Sequence, residues 1–203
     1  MTAIWRFIAA FAGIAFLLLT AVQLYAASYA HAVDAYLARL IAPVQSAAFI
    51  QGFLAVTEFG GTLGTVLVTL GALYFLRRNQ RMATCLVIAV AGSAAAATLV
   101  KQFVSRVRPD PLIWFDPLLT YSFPSGHATS AMALYGFLMV ASALLLPSGI
   151  KRTTLMLLCS VLVLMVGASR LVLGAHFLSD VLGGYLLGLF WIGLALSFEK
   201  KRV

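Results

Sequence analysis

The sequence predicts an all-α integral membrane protein, a bundle of six transmembrane helices that forms a single domain over residues 1–203. Hydrophobic residues make up 63% of the chain and charged residues only 10%, whereas a soluble domain is about half apolar and a quarter charged. The mean hydropathy is +1.02. Apolar runs close to the length that crosses a bilayer, about 20 residues, recur six times along the chain. These observations exclude a soluble globular fold.

The six apolar runs define the predicted spans, and the shorter ones are expected to extend into their flanking residues. The runs are Phe7–Ala27, Phe59–Leu76, Met82–Val100, Ala128–Leu146, Thr153–Ala168 and Val181–Phe198. Ser28-Tyr29-Ala30 resembles a signal-peptide cleavage site, but the first run is too long for a typical signal core. We therefore interpret the first run as an uncleaved anchor.

A short amphipathic helix is predicted between the first two spans, outside the membrane. Apolar residues recur there at helical spacing, with Asp34 and Arg39 off the apolar face, and Pro43 lies near the expected end. The apolar positions are Val33, Leu37, Leu40, Ile41 and Val44. Such a helix can lie on the membrane surface and shape a lipid entry route, or it can cap the bundle as a packing element.

The distribution of charge predicts the orientation. With a cytoplasmic N-terminus and six spans, nine of the 14 basic residues fall on the cytoplasmic side with one acid, Glu199. The other side then holds five basic and five acidic residues. The positive-inside rule therefore places both termini in the cytoplasm. The net charge of +8 is explained by topology and by attraction to anionic lipid, so it gives no support for nucleic-acid binding.

Lys101 and Arg108 belong to the first of three segments whose side chains could take part in chemistry. All three segments lie on the outer face in this topology. They are seven residues apart and can point from one helical face, with Pro109 then stopping the helix. A compact ammonium and a planar guanidinium suit a phosphate group. Snorkelling at the membrane edge is the alternative for both, and for Arg106 it is the preferred interpretation.

Pro124-Ser125-Gly126-His127 forms the second segment and opens an apolar helix. Serine is a favoured N-cap, and glycine lets the backbone approach a ligand closely. The free N–H groups and the helix dipole favour an anion at this position. His127 stands in the first turn, where it can donate a proton to a leaving oxygen. The alternative is an ordinary helix start with a surface histidine.

Ser169-Arg170, His176 and Asp180 form the third segment. His176 and Asp180 are four residues apart, so they share a face if the turn between them is helical. Asp180 could then orient the imidazole and leave its other nitrogen as a nucleophile or base. Arg170 would add a third cation, and a purely structural His–Asp pair is the alternative. No His, Cys or acidic pattern indicates a metal site.

The three segments resemble the signature motifs of the type 2 phosphatidic acid phosphatase superfamily. The matching residues are Lys101, Arg108 and Pro109, then Pro124-Ser125-Gly126-His127, then Ser169, Arg170, His176 and Asp180. The six-span layout is similar to the bacterial membrane branch of that superfamily, which includes phosphatidylglycerophosphate and undecaprenyl pyrophosphate phosphatases.

The resemblance implies a role for each matching position. It implies that His176 attacks phosphorus to form a phosphohistidine, that Asp180 orients His176, and that His127 protonates the leaving oxygen. Phosphate oxygens would be held by Lys101, Arg108, Ser125, Gly126 and Arg170. The resemblance implies hydrolysis by water without a metal or other cofactor.

We therefore expect a lipid phosphatase of the bacterial inner membrane with its active site facing the periplasm or extracellular side. Its partners would be the bilayer and a membrane-anchored phosphate or diphosphate, such as undecaprenyl pyrophosphate, phosphatidylglycerophosphate or phosphatidic acid. A phosphotransferase on the same scaffold and a non-catalytic carrier of lipid phosphates are the alternatives. Selectivity is expected to depend on the 110–123 loop and on the groove between the helices, and the sequence leaves the oligomeric state open.

Overall fold

The computed structural model describes residues 2–41, 47–109 and 120–198, and its regular elements within these ranges are helices. The elements are α1 (Thr2–Tyr25), α2 (Ala27–Ile41), α3 (Ala47–Thr57), a 3-10 turn (Glu58–Gly60), α4 (Thr62–Leu76), α5 (Gln80–Val104), α6 (Gly126–Ala131), a π-helical segment (Met132–Gly136), α7 (Phe137–Leu145), α8 (Ile150–Val172) and α9 (Leu178–Ser197). Pro43 and most of the 110–123 loop lie outside the described residues. Two predictions therefore fall largely outside them, namely the end of the external helix near Pro43 and the dependence of selectivity on the 110–123 loop.

Five helical stretches of the described chain are long and apolar enough to cross a membrane. They are α1, α5, α8, α9 and the continuous stretch Gly126–Leu145, which contains α6, the π-helical segment and α7. A sixth span arises only if α3 and α4, which meet at a 50° bend, are counted together. The all-helical prediction is confirmed, with five spans or up to six. The sequence analysis did not predict α3, because its 11 residues are too few for a span.

Helix α1 illustrates how the apolar surface is divided. Phe7, Phe11 and Leu17 are exposed, whereas the small residues Ala9 and Ala12 are buried. Large apolar side chains outside and small residues at the helix contact are typical of helices packed within a bilayer.

Glycines allow α9 to pack closely against its neighbours at the centre of the bundle. A Cβ at Gly193 would lie 2.8 Å from the backbone nitrogen of Ala9 in α1. At Gly184 it would lie 2.7 Å from the carbonyl oxygen of Ser125, and at Gly188 2.9 Å from that of Thr129. Gly184 and Gly188 are four residues apart and therefore lie on the same face of α9, where they allow close helix packing. This contact sets the start of α6 directly against α9.

Helix α2 turns its polar side inward. Asp34 is buried, whereas Val33, Tyr36 and Leu40 are exposed. The helix is present where the apolar spacing predicted it, but its contact with the rest of the protein is made through a carboxylate. A charge in that position requires a partner, which the site supplies.

Candidate active site

Backbone hydrogen bonds join the three predicted segments. The backbone N–H of Ser122 donates to the carbonyl of Arg106 over 2.8 Å, which ties the residues before the second segment to the first. The N–H of Ser125 donates to the carbonyl of Asp180 over 2.9 Å, which ties the second segment to the third. The main chain therefore holds the three segments together, and their side chains meet at one site.

The first segment reaches the site in a different conformation from the predicted one. Helix α5 ends at Val104, and Ser105 adopts a left-handed conformation with φ of 52° while its N–H caps the carbonyl of Lys101. Arg108 therefore lies beyond the helix, and the prediction that Lys101 and Arg108 share one helical face, with Pro109 stopping the helix, is wrong. A left-handed C-cap ends the helix one turn earlier than the proline would.

His176 and Asp180 meet across the turn that leads into α9. Nδ1 of His176 lies 3.4 Å from Oδ2 of Asp180, and both side chains are buried. The same Oδ2 accepts the N–H of Phe177 over 2.9 Å, so Asp180 also caps the helix that carries it. His176 precedes the first residue of α9, so the pair is formed by a helix cap and not by two positions on one helical face. The carboxylate faces Nδ1 and leaves Nε2 directed elsewhere.

Ser122 is a member of this cluster that the sequence analysis did not identify. Its hydroxyl donates to Oδ2 of Asp180 and lies 3.3 Å from Nδ1 of His176. Ser122 is completely buried. The hydroxyl therefore helps to hold the carboxylate against the imidazole. Its position two residues before the second segment could have suggested a place in the site. Serines are common in loops, however, so this position alone did not single it out.

Arg108 approaches the other side of the His176 ring. Its Nη1 lies 3.0 Å from Nε2 of His176 and donates to the carbonyl of Ala175. Its Nε and Nη2 donate to the carbonyl and hydroxyl of Thr120. Because Nδ1 of His176 faces a carboxylate and Nε2 faces a guanidinium, the ring fits the tautomer with its proton on Nδ1.

Lys101 and Arg170 supply the other two cations. Nζ of Lys101 donates to the carbonyl of Tyr121 over 2.6 Å. Arg170, in the last turn of α8, is 6% exposed and donates from Nη1 to Oγ1 of Thr57 over 2.7 Å. Thr57 is the last residue of α3. The unpredicted helix therefore carries a direct partner of a predicted site residue.

The second segment begins α6 as predicted. Ser125 is the N-cap, and its buried hydroxyl accepts the N–H of Ala128 at 3.4 Å. A Cβ built on Gly126 would meet no atom within 4 Å, so its backbone borders open space. His127 follows and is partly buried. It lies within electrostatic reach of His176 and of the three cations Lys101, Arg108 and Arg170. The predicted site residues are thus brought together.

The snorkelling prediction for Arg106 is wrong. Arg106 is only 7% exposed and forms two buried ion pairs of 2.7 Å, from Nη1 to Asp180 and from Nη2 to Asp34. Its guanidinium also lies over the ring of Phe177, 4.4 Å from the centroid. Its partners are more than 70 residues away in the sequence, so local spacing could not reveal them.

Burial shifts the pKa values of His176 and Arg108, two site residues that lie outside the helices. Removal from water lowers the pKa of His176 to about 3, although the hydrogen bond and the charge of Asp180 oppose this shift. Burial also lowers the pKa of Arg108, again opposed by Asp180. His176 is therefore neutral near pH 7, which keeps the Nε2 lone pair available. Within the described ranges, no three His, Cys, Asp or Glu side chains are grouped to hold a metal ion.

The chain resembles known proteins both in sequence and in structure. Phosphatidylglycerophosphatase B of Bacillus subtilis is 32% identical over 152 residues, which cover 72% of this chain and 73% of that protein. Decaprenylphosphoryl-5-phosphoribose phosphatase of Mycobacterium tuberculosis is 39% identical over 129 residues, covering 61% of this chain and 64% of that protein. The crystal structure of a transmembrane PAP2 type phosphatidylglycerolphosphate phosphatase from Bacillus subtilis matches with a TM-score of 0.74 at 26% identity, covering 92% of this chain and 93% of that one.

The family itself follows from a match to a family model. The model of the PAP2 superfamily, the type 2 phosphatidic acid phosphatases, matches residues 82–203, a range that contains all three motif segments. The resemblance drawn from the motifs is thereby confirmed, and the carrier alternative is set aside because the relatives are phosphatases. The chain belongs to the PAP2 superfamily and is an enzyme of its lipid phosphatase family.

Proposed function

We propose that this protein is a metal-independent phosphatase that hydrolyses a membrane-anchored phosphate or diphosphate monoester at the outer leaflet, through a phosphohistidine at His176. The observation that carries this proposal is the setting of the His176 ring. Nδ1 lies 3.4 Å from a carboxylate oxygen of Asp180, and Nε2 lies 3.0 Å from a guanidinium nitrogen of Arg108. A phosphate bound by Arg108 would therefore sit beside the nucleophilic nitrogen.

In the first step, Nε2 of His176 forms a bond to phosphorus while the bond from phosphorus to the lipid oxygen breaks. His127 gives a proton to the leaving oxygen, so the lipid departs as an alcohol, or as a monophosphate if the substrate is a diphosphate. The proton on Nδ1 stays on the ring, where Asp180 stabilises the positive charge that develops.

In the second step, water attacks phosphorus and the bond from nitrogen to phosphorus breaks. His127, now without its proton, accepts a proton from that water, which restores both histidines and releases inorganic phosphate. One residue thus acts as acid and then as base.

Three cations supply the charge that stabilises the transferring group. Lys101, Arg108 and Arg170 would bind the non-bridging oxygens, and the backbone at Gly126 has open space for a further hydrogen bond. Ser125 would contribute through its position as the helix N-cap, where unpaired N–H groups favour an anion. This set of charges supports catalysis without a metal ion.

Substrate class and location are inferred from the relatives and from the charge distribution. The two named relatives act on a phosphatidylglycerophosphate and on a decaprenylphosphoryl-5-phosphoribose. Both compounds are lipids that carry a phosphate group. We extend this class to undecaprenyl pyrophosphate, phosphatidylglycerophosphate and phosphatidic acid. The excess of basic residues on the side of the termini supports a bacterial inner-membrane protein with a periplasmic site.

The test is phosphate release by purified protein in detergent with EDTA, using those three lipids. His176→Ala should lower release by roughly 10³-fold or more, as expected for loss of a nucleophile. After a brief reaction with ³²P-labelled lipid and an alkaline quench, wild type should carry an acid-labile label that the variant lacks. Release that survives His176→Ala, or requires a divalent metal, would refute the proposal.

A matched control distinguishes the loss of a cation in the site from the loss of a cation on the surface. Arg108→Gln should lower release strongly, whereas Arg39→Gln should not, because Arg39 is exposed and donates to Ala35 of its own helix. Label transferred to an added lipid or sugar alcohol, with little free phosphate, would identify the phosphotransferase alternative.

A further inference from the structure

A buried ionic network lies behind Asp180, on the side away from His176. Arg106 is at its centre, with Asp180 on one side and Asp34 of α2 on the other. The proposed mechanism assigns no step to Arg106 or Asp34. Asp34 lies outside the three segments, and Arg106 lies within the first segment but is not one of its signature positions. Both side chains are almost completely buried.

A contribution to the stability of the fold does not explain why this network is present. Bringing three charged groups out of water is costly, and buried ion pairs can often be replaced by apolar residues without loss of stability. The geometry also leaves Nε of Arg106 without a hydrogen-bond partner among the described residues. Arg106 is nevertheless placed so that its two terminal nitrogens pair with the carboxylates of Asp34 and Asp180. This costly arrangement indicates a functional constraint.

The two oxygens of Asp180 have separate partners. Oδ1 accepts a hydrogen bond from Nη1 of Arg106 over 2.7 Å, whereas Oδ2 faces His176 and accepts the hydroxyl of Ser122. Arg106 therefore fixes the rotation of the carboxylate that places Oδ2 against the imidazole.

Asp34 in turn fixes Arg106. Oδ2 of Asp34 accepts Nη2 of Arg106 over 2.7 Å and the hydroxyl of Ser179 over 2.6 Å. The same Ser179 hydroxyl accepts Nη1 of Arg106, and the N–H of Ser179 donates to Oδ1 of Asp34. Asp34 thereby connects α2 to the first turn of α9, next to Asp180.

Asp34 also sets the charge around the pair. One guanidinium shared between two carboxylates leaves a net negative charge, which favours a positive charge on His176 during attack. Without Asp34, Arg106 would neutralise Asp180 alone, and the carboxylate would stabilise the developing imidazolium less.

We propose that Asp34 is a positioning residue for catalysis: through Arg106 and Ser179 it holds the Asp180 carboxylate, and the negative charge of the cluster, against Nδ1 of His176. This inference rests on the proposed function, since it acts through the nucleophilic role of His176. Helix α2 thus completes the active site without contacting the substrate.

The test compares Asp34→Asn with wild type on whichever of the three lipids wild type hydrolyses fastest. Asparagine keeps the shape of Asp34 and removes its charge. We expect kcat to fall by roughly 10- to 100-fold, the loss typical of residues that orient a catalytic group. KM should stay within about threefold, because the three phosphate-binding cations are untouched. Formation of the labelled enzyme, measured by rapid quench, should slow by the same factor as kcat.

A double-mutant comparison separates positioning from a merely structural role. In an Asp180→Asn background, Asp34→Asn should cause little additional loss, because Asp34 acts through that carboxylate. Arg39→Gln on the exposed side of α2 is the control and should leave kcat unchanged. Thermal melting verifies that each variant is folded.

Ser179→Ala gives an independent test if Asp34→Asn does not fold. It removes the hydroxyl shared by Asp34 and Arg106, and it should lower kcat several-fold without raising KM. Wild-type kcat in folded Asp34→Asn, an effect on KM alone, or equal losses with and without the Asp180 carboxylate would each overturn the inference. Activity that survives His176→Ala would instead overturn the proposed function.

Discussion

Arg170 donates a hydrogen bond from Nη1 to Oγ1 of Thr57, and the two residues lie 113 positions apart in the sequence. Both are almost completely buried. The bond attaches the end of α3 to the last turn of α8, so the apolar segment before the 50° bend holds a cation that we propose to bind phosphate. On that proposal, we expect the conformation of α3 to affect substrate affinity.

Thr57→Val should weaken substrate binding. The change keeps the shape of the side chain but removes a hydrogen bond to a charged group, which is worth about 1.5–3 kcal/mol. We expect KM for a lipid phosphate to rise by roughly tenfold or more, with a smaller effect on kcat. Steady-state kinetics in detergent would measure this.

Thr65→Val is the matched control for that experiment. Thr65 lies in α4 and is also buried, but its hydroxyl has no hydrogen-bond partner among the described residues. It should leave KM unchanged. Equal kinetics for the two valine variants would contradict a role for the Thr57 hydroxyl.

Gly184→Ala should disturb both folding and catalysis. The new Cβ would lie 2.7 Å from the carbonyl of Ser125 and 3.0 Å from the backbone nitrogen of Thr129. Backbone atoms in a packed helix cannot yield cheaply, and overpacking of this kind costs about 1–3 kcal/mol. We expect a lower Tm in detergent and a large loss of phosphate release, because the start of α6 must move away from α9.

Gly71→Ala provides the comparison for the same chemical change. A Cβ at Gly71 in α4 would meet no atom within 4 Å, and alanine is favoured over glycine in a helix by up to about 1 kcal/mol. Its Tm should be unchanged or higher, with full activity. A Gly184→Ala variant that behaves like Gly71→Ala would show that the contact with α6 is not tight.

His176 should make the folded protein less stable in mild acid. Burial lowers its pKa to about 3 in the folded state, whereas the unfolded chain titrates near 6.5. Between these values only the unfolded state binds the proton, so stability falls as the pH falls below about 6.5. At pH 5 the loss from this one group is about 2 kcal/mol.

The measurement is Tm in detergent between pH 7.5 and 5, for wild type and His176→Gln. The variant lacks the titrating group and should lose less Tm over this range. An identical decrease in both proteins would mean that His176 is charged in the folded state or remains exposed to water.

The sequence predicted the membrane fold and the residues that meet at the site. Apolar runs report spans directly, and Pro124-Ser125-Gly126-His127 begins a helix for local reasons that spacing can reveal. The prediction that the helix continues from Lys101 to Arg108 failed, because the left-handed turn at Ser105 that ends α5 has no strong sequence signal.

The side chains that support the site were harder to predict. Arg106 looked like one of several basic residues at a membrane edge, and its burial depends on Asp34, which precedes it by 72 residues. Thr57 lies in a helix too short to register as a span. Partners of this kind are selected by tertiary packing, which a single sequence does not display.

Hydrogen bonds join the described residues on either side of positions 110–119. Arg108 donates to both the carbonyl and the hydroxyl of Thr120, and the N–H of Ser122 donates to the carbonyl of Arg106. None of these bonds involves a residue from positions 110–119. If the proposed function is correct, substitutions or insertions at those positions could therefore change the preferred lipid head group during evolution, while the residues proposed to act on the phosphate keep their places.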